Sequence, residues 1–252
     1  SPCNPRWDAM NLAHVEAGLR SYTMSMPEEI NRILTDRISD YLFCPTDAAM
    51  MNLESEGFSH FPCKRIKTGD VMKDAVDYYS LIAAEKSSIV RELKLDSFLL
   101  CTLHREQNTN NTENLSSIIH AFNQLNEFCT VVLPLHPRTR KFIDEHKIHL
   151  KFKVIEPASY FDMLELLRHC KMVITDSGGL QKESFFFQKP CITLRNETEW
   201  TELVEHGFNV LAGADTSRII SAYKEMLHCD KNFNIDLYGD GHAAERIVQA
   251  IL

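Results

Sequence analysis

The sequence lacks the features that mark several large classes of protein. No apolar run approaches the roughly 20 residues that a membrane-spanning helix needs, and no signal peptide opens the chain. Basic residues are not in excess, since 27 Lys and Arg stand against 35 Asp and Glu, for a formal net charge of −8. A general nucleic-acid binder would carry a basic face instead. We therefore expect neither a membrane partner nor a nucleic-acid partner.

Paired cysteine spacing is also absent. The eight cysteines are scattered, and none belongs to a Cys-x-x-Cys pair. Several lie in apolar runs, such as Cys101 at the end of Phe98-Leu99-Leu100-Cys101. This distribution favours buried, reduced thiols in a cytoplasmic protein over a zinc site or a disulfide framework. The sequence accordingly predicts no metal site.

What the chain does contain is an alternation of short apolar runs and helical patterns. With 252 residues, of which 44% are hydrophobic, it can bury one large core or two modest ones. Such alternation indicates βαβ units and a parallel sheet with helices on both faces. The predicted strands are 98–103, 130–133, 152–155, 172–175 and 191–194, and the predicted helices between them are 112–126, 139–146, 160–169 and 180–187.

Polar clusters follow four of these strands. They are Thr102-Leu103-His104-Arg105-Glu106, Leu135-His136-Pro137-Arg138, Asp176-Ser177-Gly178-Gly179 and Arg195-Asn196-Glu197. Parallel α/β sheets bind ligands beyond the carboxyl ends of their strands, so the four clusters predict one pocket. His104 is the strongest candidate, because an apolar strand delivers it there with Arg105 beside it. For His136, a packed or hydrogen-bonded histidine is the competing interpretation.

The third cluster is built like an anion site. An apolar strand ends at Thr175, two adjacent glycines follow, and a helix begins, so that backbone N–H groups and the helix dipole would face a phosphate. One turn into that helix, Glu183 could accept hydrogen bonds from sugar hydroxyls. An ordinary N-cap by Asp176 or Ser177 explains the same residues, and the segment alone leaves both interpretations open.

The first part of the chain carries clustered acids. The segment from Leu12 to Arg20, which contains Glu16, is predicted to be a short strand that runs into a glycine-containing loop. Pro27 then begins a helix whose first turn holds Glu28 and Glu29. These acids could fold toward one site, although Glu16 could also pair with Arg20, and the helix-start acids could serve the helix dipole. Helices are predicted at 47–54, 71–93 and 243–252. We place one domain at 1–68 with 239–252 and a second at 69–238.

Together these motifs resemble the non-hydrolysing UDP-N-acetylglucosamine 2-epimerases. The match runs in order from about Leu12 to the end of the chain. The segments that carry it are His14-Val15-Glu16-Ala17-Gly18-Leu19-Arg20-Ser21, Met26-Pro27-Glu28-Glu29-Ile30-Asn31-Arg32, the four strand-end clusters, Thr198-Glu199, and the ending Tyr238-Gly239-Asp240-Gly241-His242 with the helix after it.

The resemblance implies a fold and a reaction. The fold is α/β, with two Rossmann-like domains in the glycosyltransferase-B arrangement and the nucleotide sugar in the cleft between them. The reaction interconverts UDP-GlcNAc and UDP-ManNAc without a cofactor, by eliminating UDP across C1–C2 and adding it back after reprotonation of C2. This chemistry needs acid and base groups at the sugar and a firm hold on the diphosphate. A cytoplasmic homodimer is implied as well.

The same resemblance assigns roles to individual residues. Glu16 and Glu28 correspond to the catalytic carboxylates, and His104 to a histidine near the diphosphate. Ser177, Gly178 and Gly179 match the phosphate-binding turn, Glu183 the ribose-binding acid, and His136 a pocket histidine. The strand-end clusters, rather than the resemblance, add Arg105 and Arg195 as substrate-binding candidates.

Two departures from the family pattern keep alternatives open. Members begin with strands that carry a diphosphate-binding arginine and a Gly-Asp-Thr turn, neither of which has a counterpart in Ser1–Asn11, so we expect the first domain to be incomplete. Trp200 stands where many members have arginine. The chain could therefore be a non-catalytic UDP-binding fragment, or act on a related UDP-2-acetamido sugar. A glycosyltransferase shares the architecture, but the paired acidic motifs favour an epimerase.

Overall fold

A computed structural model of the chain describes residues 11–24, 26–227 and 231–252. Two compact units divide it: the first comprises Ser1–Asp77 and Ile235–Leu252, the second Tyr78–Asn234. Both domain boundaries predicted from the sequence, after residue 68 and before residue 239, fall inside the first unit. The chain passes between the units twice, after Asp77 within a helix that runs from Val71 to Lys86, and again after Asn234.

The first unit is built on a three-stranded parallel sheet in the order β1-β2-β3. Thr46 caps the second helix by accepting a hydrogen bond from the N–H of Ala49 at 3.1 Å, and Pro27 begins the first. The elements in chain order are β1 Ala13–Val15, α1 Pro27–Ile38, β2 Tyr41–Cys44, α2 Asp47–Ser55, a 3₁₀ turn at Phe58–His60, β3 Lys64–Lys67, α3 Val71–Lys86 and the C-terminal helix Ala243–Ile251.

The second unit is built on a six-stranded parallel sheet in the order β6-β5-β4-β7-β8-β9. Its strands are β4 Phe98–Thr102, β5 Thr130–Pro134, β6 Lys153–Ile155, β7 Met172–Thr175, β8 Cys191–Thr193 and β9 Asn209–Leu211. Its helices are α4 Ile89–Glu92, α5 Glu106–Thr109, α6 Thr112–Leu125, α7 Pro137–Glu145, α8 Tyr160–His169, α9 Gly178–Phe186, α10 Thr201–Glu205 and α11 Thr216–Leu227.

The strand order creates a switch point between β4 and β7. From β4 the chain moves outward through β5 to β6, then returns to the other side of β4 and moves outward again through β8 to β9. The loops after β4 and β7 therefore leave in opposite directions and open a crevice at the carboxyl edge. β4 is covered on both faces, since Leu99 and Cys101 belong to one buried cluster and Phe98 and Leu100 to another.

The predicted α/β class with parallel sheets is confirmed, while several elements differ. The helix predicted at 71–93 is wrong: α3 ends at Lys86, and α4 follows as a separate short helix. The break falls at Ser87, whose hydroxyl donates to Asp162 Oδ1 at 2.5 Å and accepts from the N–H of Ile89 at 3.4 Å, in competition with helical bonding. Strands β2, β3 and β9 escaped sequence analysis; β3, Lys-Arg-Ile-Lys, carries a single apolar residue.

Candidate functional site

Asp176 joins the ends of β4 and β7 at the switch point. Its carboxylate is fully buried and accepts hydrogen bonds from the N–H of His104 at 3.2 Å and of Arg105 at 3.0 Å. The side-chain amide of Asn108 donates to it as well, at 3.2 Å. Because a buried carboxylate needs such donors, this cluster fixes the path of the loop after β4. Sequence analysis placed Asp176 in a strand-end cluster and gave it a possible role as a helix cap, and the structure makes it the anchor of the His104 loop.

His104 is oriented by the same carboxylate. Its Nδ1 lies 3.1 Å from Asp176 Oδ1, while the side chain remains 54% exposed. The hydrogen bond to Asp176 raises the pKa of His104 above its usual range, and partial burial opposes the shift. A protonated imidazole at the carboxyl edge of the sheet suits an anionic ligand. The predicted arrival of His104 at this edge agrees with the structure, and its role stays a prediction.

The turn after β7 begins α9 directly. Ser177 is the N-cap, and its hydroxyl accepts from the N–H of Leu180 at 3.4 Å. Gly178 and Gly179 form the first helical positions, so the helix starts earlier than the predicted Leu180. All three turn residues are only half-buried. The N-cap and the anion-binding interpretations are therefore compatible, because the cap leaves the backbone N–H groups of the glycines at the helix start.

A side chain at Gly178 would require the neighbouring Glu199 to shift. A Cβ there would lie 2.8 Å from Glu199 Oε1. Glu199 is buried and ion-paired with Arg195, whose Nη1 lies 3.0 Å from Glu199 Oε2. Trp200 also contacts the turn, since its indole N–H donates to the carbonyl of Gly178 at 2.9 Å. Arg195, a predicted substrate-binding residue, is thus buried and ion-paired with Glu199 beside the turn.

A polar cavity of about 560 Å³ opens beside Arg195. It is bounded by α5, by the start of α6 and by the loops that follow β8 and β9. Asn108, Arg195 and Asn196 contribute to its lining. The cavity therefore shares Asn108 and Arg195 with the cluster around Asp176 and Glu199.

Glu183 is half-buried on α9, one turn beyond the glycines. Burial raises the pKa of its carboxyl group to about 7, although the neighbouring Lys182 opposes the shift. A buried carboxyl group is costly to ionise without hydrogen-bond donors. Ligand hydroxyl groups that donate to it would stabilise its ionised form. This environment fits the predicted role of Glu183 as an acceptor for sugar hydroxyls, which remains a prediction.

We expect Glu183→Gln to stabilise the fold in a pH-dependent manner. The folded protein holds its proton more tightly than the unfolded chain, so the stability associated with neutral Glu183 is present below the usual pKa of 4.5 and lost as the pH rises through about 7. The variant's advantage in free energy of unfolding should grow from below about 1 kcal/mol at pH 5 to about 3 kcal/mol at pH 8. Urea unfolding at both pH values measures it, with the exposed Glu113→Gln as the charge-matched control. A constant difference would contradict the assignment.

His136 lies at the start of α7 as its N-cap. Its Nδ1 accepts a hydrogen bond from the N–H of Arg138 at 3.2 Å, and the residue is exposed. Arg138 reaches across to Glu106 at 3.0 Å, linking the ends of β5 and β4. Three of the predicted strand-end clusters are therefore connected by contacts, at β4, β5 and β7. The role of His136 in substrate binding stays a prediction.

In the first unit, two buried carboxylates fasten the loop after β1 to α1. Glu29 accepts hydrogen bonds from the N–H groups of Ser21 and Tyr22, each at 3.0 Å to Oε1. Seven residues along the same helix, Asp36 accepts from the N–H of Gly18 at 3.2 Å. Two helical turns separate these positions, so both carboxylates face the loop. The clustered acids thus have different tasks, and Glu29 is a structural anchor.

Glu16 and Glu28, the predicted catalytic carboxylates, are both exposed. Glu16 follows β1 directly and has a φ of 73°, in the left-handed region that costs a non-glycine residue roughly 1–2 kcal/mol. Such strain is retained where the surrounding structure over-determines it, and it concentrates at functional sites. Glu28 projects from the first turn of α1, next to the buried Glu29. Their catalytic roles stay predictions.

Sequence analysis missed the buried groups that hold these residues in place. Asp176, Asn108 and Glu199 support the second unit's site, and Asp36 supports the loop of the first. Two of them carried a signal: Asp176 follows a strand end directly, and Glu199 belongs to the Thr198-Glu199 motif of the family resemblance. Among residues 11–24, 26–227 and 231–252, no group of three or more His, Cys, Asp or Glu is placed to hold a metal ion. Within the same ranges, no helix is long and apolar enough to cross a membrane.

Comparison with known sequences agrees with the motifs. The family model described as UDP-N-acetylglucosamine 2-epimerase matches residues 8–252. A UDP-2,3-diacetamido-2,3-dideoxy-D-glucuronate 2-epimerase from Pseudomonas aeruginosa is 46% identical over 94% of this chain and 67% of its own length. A UDP-N-acetylglucosamine 2-epimerase from Methanocaldococcus jannaschii is 40% identical over 96% of this chain and 69% of its own. The chain thus spans about two thirds of the length of these relatives.

Solved structures give the same result. The M. jannaschii UDP-GlcNAc 2-epimerase in complex with UDP-GlcNAc and UDP matches with a TM-score of 0.85 and 40% identity, over 96% of this chain and 68% of that one. The S. aureus protein MnaA, solved with UDP, matches with a TM-score of 0.83 and 32% identity, over 98% of this chain and 68% of that one.

Proposed function

The chain belongs to the UDP-N-acetylglucosamine 2-epimerase family, and from that premise we propose that it inverts C2 of a UDP-2-acetamido sugar. The reaction eliminates UDP across C1–C2 and adds it back after reprotonation. UDP-GlcNAc and UDP-ManNAc are the first substrates to test. In this proposal the second unit binds UDP through the turn at Ser177, Gly178 and Gly179, and Glu183 accepts hydrogen bonds from the ribose.

One observation carries the nucleotide part of the proposal. The half-buried helix start at Gly178 sits at the switch point of the parallel sheet, next to a histidine whose pKa is raised by Asp176. Backbone N–H groups and a helix dipole favour a diphosphate at that place, and the raised pKa of His104 favours the protonated ring that would add to them. Glu183, whose proton is lost near neutral pH, lies one turn away.

A related sugar is the second candidate substrate. The P. aeruginosa relative, named for a diacetamido glucuronate, is 46% identical to this chain, and the M. jannaschii enzyme, named for UDP-GlcNAc, is 40% identical. A uronate brings an additional carboxylate, and a second acetamido group replaces a hydroxyl. Both sugars share the uridine diphosphate and the C2 acetamido group, so they require the same elimination chemistry.

Proton NMR in deuterated water tests the reaction. We expect each sugar that is a substrate to gain deuterium at C2 and to give signals of its 2-epimer. Free UDP with unchanged stereochemistry would indicate elimination without re-addition. Binding of UDP without any exchange at C2 would leave a nucleotide-binding protein and overturn the proposed reaction. Running both sugars in parallel separates the two substrate candidates.

We also propose a homodimer in the cytoplasm. Helix α1 presents Ile30, Leu34 and Ile38 at intervals of four residues, and these residues are 39%, 59% and 65% exposed. An apolar stripe of this kind suits a helix-to-helix contact. The described cysteines are free thiols, which fits a reducing compartment.

Light scattering tests the assembly. We expect the mass of a dimer for the wild-type chain and of a monomer for Leu34→Glu, because the carboxylate would be buried in an apolar contact. Ser55→Glu, which adds the same charge at an exposed position of α2 in the same unit, is the matched control. A wild-type chain that is monomeric at all concentrations would exclude the dimer.

A further inference from the structure

His14 of β1 is held by a buried carboxylate of α1. Its Nδ1 lies 2.6 Å from Asp36 Oδ1. The histidine side chain is 17% exposed, and that of Asp36 is not exposed at all. His14 is the middle residue of the short strand β1.

Asp36 is itself fixed by further contacts. Its other oxygen, Oδ2, lies 2.7 Å from Arg20 Nη1 and accepts the N–H of Gly18 at 3.2 Å. Arg20 is buried, and Glu56 accepts from its Nε at 2.6 Å and from its Nη2 at 2.9 Å. Both oxygens of Asp36 are therefore committed to defined partners, and the carboxylate cannot turn away from the imidazole.

This arrangement selects the tautomer of His14. An ionised carboxylate only accepts hydrogen bonds, so Nδ1 carries the proton and Nε2 of the neutral ring presents its lone pair. Nε2 has no hydrogen-bond partner within residues 11–24, 26–227 and 231–252. A histidine oriented through one nitrogen by a fixed carboxylate, with the other nitrogen available, is the arrangement of a general base.

Its place in the sequence connects His14 with the proposed chemistry. Glu16 stands two residues further along, in the strained backbone conformation that follows β1. We propose that His14 transfers the C2 proton in the epimerase reaction, and that Asp36 is the residue that positions it. This inference rests on the proposed function and adds to it a group that the family resemblance did not assign.

The proton transfer balances as follows. In the elimination, Nε2 takes the proton from C2, the electrons of that C–H bond form the C1–C2 double bond, and UDP leaves with the electrons of the C1–O bond. In the return, a proton is delivered to C2, and an oxygen of UDP forms the bond to C1. Inversion requires delivery from the opposite face by a second acid, for which Glu16 and Glu28 are the candidates.

His14→Asn separates this role from a structural one. The asparagine amide can replace the Nδ1–H donor to Asp36, yet it has no basic nitrogen. We expect deuterium exchange at C2 to fall by roughly 10²–10⁴, the usual contribution of a general base. UDP affinity and the melting temperature should remain those of the wild type. His60→Asn, at an exposed histidine of the same unit, is the matched control. Wild-type exchange in His14→Asn would overturn the inference.

Asp36→Asn addresses the positioning role. The charged groups near the imidazole are Asp36, Arg20 and Glu56, with Arg37 3.6 Å from Glu56. The asparagine amide can either accept from Nδ1 or donate to it, so it holds the ring without selecting one tautomer. We expect slower exchange at C2 and a ¹⁵N spectrum in which part of the His14 population is protonated at Nε2. A slower reaction with the ring still protonated at Nδ1 alone would show that Asp36 acts only through the fold.

The ¹⁵N spectrum of His14 keeps this inference distinct from the proposed function. If the wild-type chain catalyses no exchange at C2, the proposed activity fails. The assignment of His14 is then tested only by the ¹⁵N signals of its ring nitrogens. A ring protonated at Nδ1, whose Nε2 signal moves when UDP-GlcNAc is added, would support the assignment. Protonation at Nε2, or a signal that UDP-GlcNAc leaves unchanged, would refute it. The same readout decides the matter if Asp36→Asn does not fold.

Discussion

Replacing Gly178 with valine is expected to remove most of the affinity for UDP. The new Cβ would lie 2.8 Å from Glu199 Oε1, and the buried Arg195–Glu199 pair leaves that oxygen little freedom to move. The branched side chain would also cover the N–H groups of the helix start. An anion site at a helix end is worth up to about 2 kcal/mol in a partly buried geometry, so the dissociation constant should rise by about 30-fold or more.

Calorimetric titration with UDP measures this effect. Gly178→Ala is the graded variant, because its single methyl group meets the same oxygen but covers less of the backbone. We expect its affinity to lie between those of the wild type and the valine variant. Near-ultraviolet circular dichroism establishes that each variant is folded. A folded valine variant with unchanged affinity would remove the turn from the nucleotide site.

The second large effect is expected at the carboxylates of the first unit. Glu16→Gln and Glu28→Gln should each reduce C2 exchange by roughly 10²–10⁴, because each removes a group that can transfer a proton. Both residues are exposed and lie in the first unit, whereas the proposed nucleotide contacts belong to the second. UDP affinity should therefore remain close to that of the wild type.

Ser177→Ala should show the reverse pattern. The hydroxyl that caps α9 is lost, the helix start becomes less ordered, and UDP binding weakens before the exchange rate at saturating substrate does.

For the two glutamate variants, Asp47→Asn is the control for loss of a carboxylate in the first unit, since its side chain is 77% exposed and pairs with Lys67. Glutamate variants that lose UDP binding but keep exchange would show that the two roles have been assigned to the wrong units.

Much of the second unit was predictable because its signals are local. The strands predicted at 130–133, 172–175 and 191–194 match β5, β7 and β8 to within a residue at each end. A strand buried on both faces is a short apolar run, and its neighbours in the chain show it directly. The charged strand β3 could not be found in this way, because its place in the sheet depends on pairing with β2.

In the candidate site, too, the predictable features are those that depend on nearby residues. The sequence by itself determined which polar residues follow the strands, that a serine and two glycines begin α9, and that acids cluster after β1 and at the start of α1. Each of these depends on neighbours within a few residues, through strand period, helix capping and turn chemistry.

Only the tertiary structure decided which of these residues are held, and by what. Asp176 receives its donors from a loop about 70 residues earlier, and Asp36 joins a histidine and an arginine from a different element. The raised pKa of Glu183 likewise comes from burial by the folded unit. Burial and long-range pairing depend on which distant segments the fold brings into contact. The residues next to a position in the sequence do not show which distant segments those are.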